Sequence, residues 1–109
     1  MEVTYATKEI RRLCEEEKYQ LKRLGKKRSS RLQNRVNELR AKENVSELQL
    51  GRPHELTGDR AGQYSVDLDK QMRLLFEPSE HPAPSHPAGG IDWQQVKCIR
   101  IFGIEDTHD

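Results

Sequence analysis

The chain has little cysteine, few aromatic residues and no long apolar run, and each shortage removes a class of protein. Two cysteines in 109 residues, Cys14 and Cys98, are too few for a disulfide framework. Both occupy apolar-patterned positions, where cysteine behaves as a small buried hydrophobe, and a reducing, cytoplasmic setting is expected. No N-terminal apolar run resembles a signal peptide, and no stretch is apolar enough to span a bilayer. Hydrophobic residues are 33% of the chain against 34% charged, so the core is small, and a partner covering apolar surface would add stability. The glycines do not have the spacing of a nucleotide phosphate loop. His81, His86, Asp92 and His108 lack the tight, defined spacing of zinc ligands, so neither a metal nor another cofactor is expected. Ser29 and Ser30 lack the context of a nucleophile and read as helix-start residues.

What the chain does have is a charge asymmetry hidden by a formal net charge of +1. Met1 to Asn44 carries thirteen Lys/Arg and seven Asp/Glu, net +6, and the remainder is net −5. Between Lys22 and Arg35 lie seven basic residues, Lys22, Arg23, Lys26, Lys27, Arg28, Arg31 and Arg35, and no acidic one. A solvated helix face would account for such a run. It would equally make a local positive field that attracts phosphate.

The patterning predicts an α+β domain spanning residues 1–109. Met1, Val3 and Tyr5 alternate with Glu2, Thr4 and Ala6, which indicates a strand. Thr7 is placed to cap a helix, with Ile10, Leu13, Cys14, Leu21 and Leu24 on one face and Gly25 as its stop. Leu32, Val36 and Leu39 form the apolar stripe of a second helix running to about Asn44, completing an αα-hairpin. A connector from Val45 to Pro53 leads to a short strand at His54–Thr57 and the turn Gly58-Asp59-Arg60-Ala61-Gly62. Tyr64, Val66 and Leu68, then Met72, Leu74 and Phe76, alternate with polar partners as a hairpin with one buried face. Residues 78–95 are proline-rich and read as a long mobile loop. Val96 to Ile104 is apolar on both faces and is expected to be a central or well-covered strand. The predicted order is a strand, a two-helix hairpin, then a mostly antiparallel sheet with the helices on one face.

The string HELTGDRAGQYSVDL from His54 to Leu68, followed by MRLLF from Met72 to Phe76, resembles the RelE/ParE toxin superfamily, and is most similar to its HigB-like killer branch. The order of elements and the tail Glu105-Asp106-Thr107-His108-Asp109 match as well. The resemblance implies a toxin of a type II toxin–antitoxin pair that cuts mRNA on translating ribosomes. It also implies a cognate antitoxin, of helix-turn-helix, HigA-like type, through which alone the complex would reach operator DNA. It implies roles for Arg73 beside the scissile phosphate and for Asp106 and His108 in catalysis. Thr57 and Thr107 stand where close relatives often carry lysine and tyrosine. That departure favours an alternative in which the fold is shared but the protein binds gyrase, as ParE does; a third reading is a relative that only binds its antitoxin.

RNA cleavage by its own 2′-hydroxyl needs a base, an acid for the leaving oxygen, and cations for charge building at phosphorus. His108 is a residue type that titrates near neutrality, and Arg73 and Arg60 have the planar donor fork that suits phosphate. Arg73 is expected on the open face of the sheet, with the Gly58–Gly62 turn bringing Arg60 toward it. Asp67 is a candidate cross-strand ion-pair partner for Arg73. Arg60 and the basic run from Lys22 to Arg35 are the expected RNA contacts, the run holding ribosomal RNA.

Overall fold

The computed structural model describes residues 1–106. Its elements are β1 (Glu2–Tyr5), α1 (Lys8–Glu15), α2 (Glu17–Ala41), β2 (His54–Glu55), β3 (Tyr64–Asp67), β4 (Met72–Pro78) and β5 (Cys98–Asp106). Short 3-10 turns lie at Val45–Glu47, Gly58–Arg60 and Trp93–Gln95. The strands form one sheet in the order β1-β5-β4-β3-β2; β1 runs parallel to β5 and every other pairing is antiparallel.

The helical part follows its local chemistry. The Thr7 hydroxyl oxygen accepts the Ile10 amide at 3.1 Å, capping α1. The chain leaves helical geometry at Glu16 (φ −99°, ψ 105°), so the long first helix expected from Thr7 to Gly25 is two pieces. Glu16 and Glu17 interrupt the apolar stripe there, and no side chain caps the second piece. Gly25 breaks the helix as expected, at φ 80° and ψ 170°, a conformation essentially reserved for glycine. Helix resumes directly after it, without a separate linker, and stops at Ala41 instead of Asn44. The Ser29 hydroxyl bonds the Gln20 carboxamide across the break.

The core lies between the helices and one face of the sheet. Cys14, Leu32, Val36 and Leu39 meet Val66, Leu74, Phe76, Ile99 and Ile101, all essentially without exposure. β5 is an interior strand, with the edge strand β1 on one flank and the middle strand β4 on the other. One detail departs from strict alternation. Leu75 pairs with Gly103 and Phe76 with Ile101, which leaves Phe102 unopposed as a bulge. The extra residue shifts the phase, so Ile104 joins Ile99 and Ile101 on the helix side, where alternation alone would put it on the other face. Gly103 and Glu105 therefore face away from the helices.

Residues 79–92, expected as a mobile loop, carry regular hydrogen bonds: Ser85 bridges Ile91, His86 pairs with Gly90, and the Asp92 amide reaches the Pro84 carbonyl at 2.9 Å. Trp93 then anchors the chain. Its indole N–H donates to Glu55 at 2.8 Å, and its ring meets Tyr64 edge-on at 4.7 Å, while Tyr64 stacks on Phe76 at 5.3 Å. All three rings belong to the packing between loop and sheet.

Candidate functional site

The sheet face opposite the helices gathers polar groups from four elements. On β3, Ser65 and Asp67 point there. On β4, Arg73 and Leu75 do, and on β5, Gly103 and Glu105. The registers set them in two rows: Ser65–Leu75–Gly103 and Asp67–Arg73–Glu105. Gly103 leaves its row without a side chain. The fourth element is the Gly58–Arg60 turn. Gly58 at φ 63° and Gly62 at φ 95° bend the chain, and Arg60 crosses to Glu105. Its Nη2 reaches Oε2 at 2.6 Å and Nη1 reaches Oε1 at 3.4 Å, while Nε donates to Gln63 at 2.8 Å. Arg60 thus lies on the Arg73 face, as expected from its turn.

Arg73 is half-buried between two carboxylates in register, yet among the described residues its buried Nε has no hydrogen-bond partner, and neither has the Ser65 hydroxyl. The expected Asp67–Arg73 pair is absent; the Asp67 carboxylate is instead held by Arg52 Nε at 3.0 Å. A buried, unpaired donor costs about 1–3 kcal/mol. A guanidinium held on those terms is placed to receive an anion.

The structure separates the other expected site residues. Asp106 stands opposite Met72, whose side chain packs toward the core, so Asp106 projects from the helix side and not from the Arg73 face. Glu105 is the carboxylate beside Arg73. Nothing in the tail motif distinguished the two acids; the bulge at Phe102 decides between them. His108 lies outside the described residues.

The basic run divides into two groups. Lys22, Lys26 and Lys27 are exposed. Arg23 lies over the Tyr19 ring at 4.7 Å and 3.8 Å from Glu9, and Tyr19 in turn donates to Glu9. Arg28 and Arg35 are partly buried and Arg31 is exposed, and all three donate to the β3–β4 end of the sheet. Arg28 Nε reaches Asp69 at 2.6 Å and its Nη2 reaches Gln71 at 2.8 Å; Arg31 donates to the Leu68 carbonyl at 3.3 Å and Arg35 to the Asp67 carbonyl at 2.8 Å. Their 3- and 4-residue spacing makes a helical stripe beside Leu32, Val36 and Leu39, the signal in the sequence that could have separated them. Hydrogen bonding to Arg28 pulls the Asp69 pKa down to about 2. Burial pushes the Cys14 thiol up to about 12.

Among the described residues no group of three or more His, Cys, Asp or Glu is placed to hold a metal ion, and no helix is long and apolar enough to cross a membrane.

This five-stranded sheet with its helices on one face has the fold of solved toxin structures of the YoeB/ParE kind. The particular likenesses are to the YoeB/ParE toxin from Agrobacterium tumefaciens, with a TM-score of 0.62 at 12% identity, covering 99% of this chain and 100% of that one. The YoeB–YefM complex from Staphylococcus aureus follows at 0.58 and 15% identity, covering 96% of this chain and 94% of that one. The Staphylococcus aureus YoeB dimer superposes at 0.57, with the same identity and coverage. These structures carry YoeB and ParE names, so they support the expected fold and not the HigB-like branch. No family model and no curated protein matches the chain.

Proposed function

We propose that this protein is the toxin of a type II toxin–antitoxin pair and that it cleaves mRNA on the ribosome at the Arg73 face. The observation that carries the reading is the unpaired, half-buried Arg73 guanidinium set between Glu105 and Asp67, with Arg60 reaching across from the glycine turn. In this reading the 2′-hydroxyl attacks the adjacent phosphorus, forming the 2′–O–P bond and breaking the bond to the 5′-oxygen. Arg73 and Arg60 stabilise the charge that builds on the phosphoryl oxygens. The tail residue His108 is the proposed proton carrier, with Asp106 beside it in sequence. Glu105 is a second carboxylate, already on the correct face, for orienting the 2′-hydroxyl or accepting its proton. The exposed lysines Lys22, Lys26 and Lys27 are proposed to rest on ribosomal RNA.

One similar structure is a complex of YoeB with YefM, and we infer by likeness of fold that this chain too is held by a cognate antitoxin. The helix-turn-helix, HigA-like type follows from the resemblance of the sequence.

The test is addition of the purified protein to a reconstituted translation reaction. Cleavage of the message within its translated codons, lost with Arg73→Ala, is the expected result. An intact message with relaxed or cleaved plasmid DNA in a parallel gyrase assay would move the protein to the gyrase-binding reading. An intact message with no effect on either target would leave a protein that only binds its antitoxin.

A further inference from the structure

Beside the Arg73 face, between α2 and the turn from β3 to β4, lies a cleft of about 1060 Å³ whose lining includes Arg31, Arg35, Gly51, Arg52, Asp67 and Lys70. We infer that this cleft binds the phosphodiester backbone of a single RNA strand, as a second subsite for the strand whose reacting phosphate sits on Arg73. The choice of RNA as ligand rests on the proposed function.

Three features are independent of that reading. First, the cleft's cations are only partly used by the protein. Arg35 and Arg52 are each anchored through Nε, to the Asp67 carbonyl at 2.8 Å and to the Asp67 carboxylate at 3.0 Å. Among the described residues, their terminal nitrogens have no hydrogen-bond partner. Anchoring through Nε fixes the plane of the guanidinium and leaves the fork that grips phosphate. Arg31, one helical turn before Arg35, is held by one Nη to the Leu68 carbonyl at 3.3 Å.

Second, the floor is built to keep side chains out. Gly51 has φ 75°, and a Cβ there would lie 2.4 Å from the Asp67 carbonyl oxygen and 2.6 Å from Arg35 Nε. The next residue, Arg52, has φ 50° and is the one non-glycine residue with positive φ among those described. That left-handed conformation is strained for a residue with a side chain, and such strain collects at ligand sites. Here it turns an exposed arginine back over the cleft.

Third, the cleft shares a residue with the Arg73 face. Asp67 lines the cleft, holds both Arg35 and Arg52, and is the register partner of Arg73. An acidic peptide would also satisfy arginine forks, and Asp67 and Asp69 in the wall oppose either anion equally. It is the shared Asp67, opposite Arg73, that favours a strand over a peptide.

The experiment is fluorescence anisotropy of a short labelled single-stranded RNA, titrated over a range of salt. The wild type is compared with Arg31→Ala/Arg52→Ala, with a control that removes the same charge elsewhere, Lys8→Ala/Lys97→Ala, and with Arg73→Ala. The double arginine variant is expected to bind roughly tenfold more weakly and to flatten the slope of log K against log salt by about 1.4, at about 0.7 per phosphate lost. The control is expected to stay near wild type. Arg52→Ala alone, at a side chain 79% exposed, carries half the change in slope should the double variant not fold. Equal slopes in the cleft variants and the wild type overturn the inference, as does an unchanged RNA affinity with loss of binding to a purified acidic partner. A protein that binds RNA through the cleft but cuts no message keeps this inference and loses the proposed function.

Discussion

Asp67 and Arg73 stand directly opposite each other in the β3–β4 ladder, and they do not form an ion pair. Asp67 is drawn away by Arg52, and the buried Nε of Arg73 is left without a partner among the described residues. A carboxylate that would have neutralised the site is used to build the wall of the adjoining cleft. The remaining acidic neighbour, Glu105, is engaged by Arg60.

Arg73→Ala should therefore separate stability from activity. Because the buried Nε satisfies no partner among the described residues, its removal should leave the unfolding free energy from urea titration unchanged or raised by up to about 1 kcal/mol. RNA cleavage should fall on the order of 100-fold or more. A loss of several kcal/mol of stability would mean that Arg73 holds the sheet together.

The carboxylates Glu105 and Asp106 should differ sharply. Glu105→Gln removes the charge facing Arg73 and Arg60, and cleavage should fall on the order of 100-fold. Asp106→Asn, on the helix side of the strand, should change it by only about threefold, well short of a proton-transfer effect. Single-turnover rates on a common message provide the comparison. The reverse ranking would show that the end of β5 turns over in the working enzyme.

Asp69 supplies a pH-dependent contribution to stability. Its folded-state pKa, about 2, lies below its ordinary value because Arg28 hydrogen-bonds to it. The stabilisation is therefore complete above about pH 4 and is lost as pH falls toward 2. Asp69→Asn should cost on the order of 1 kcal/mol at neutral pH, allowing for solvent around this partly exposed pair. The gap between the two denaturation curves should close on acidification. A gap constant from pH 7 down to pH 2.5 would contradict the assignment.

Two glycines with positive φ should respond unequally to alanine. At Gly25 nothing lies within 4 Å of an added Cβ, so only the backbone conformation resists, at about 1–3 kcal/mol. At Gly51 the same penalty is joined by collision with the Asp67 backbone. Gly51→Ala should be the more destabilising in thermal melts and should also weaken RNA binding. Equal melting temperatures would mean that the cleft floor yields.

The fold was largely legible because its signals are local. Thr7 caps, Gly25 breaks, and the alternation from Tyr64 to Phe76 separates a helix-facing row from an outward row. β5 announced its interior place by carrying apolar residues on both sides. The site was legible only in part. Arg73 and Arg60 were placed by alternation and by turn chemistry. The partner of Asp67 was not, because Arg52 is distant in sequence and reaches it through a left-handed backbone that no pattern marks. That Glu105, and not Asp106, lies on the Arg73 face could not be read from the tail, because one unopposed residue at Phe102 reverses the phase of everything after it. The basic run looked uniform as a string of charges. Helical spacing divides it into exposed lysines and arginines that tie α2 to the sheet.

The central claim is that the Arg73 face cuts RNA, and mapping mRNA 5′ ends in bacteria after brief induction tests it most directly, with Arg73→Ala at matched expression alongside. The account predicts new ends inside translated codons that disappear in the variant. Arrested growth with intact messages, or the same ends in wild type and Arg73→Ala, would contradict it.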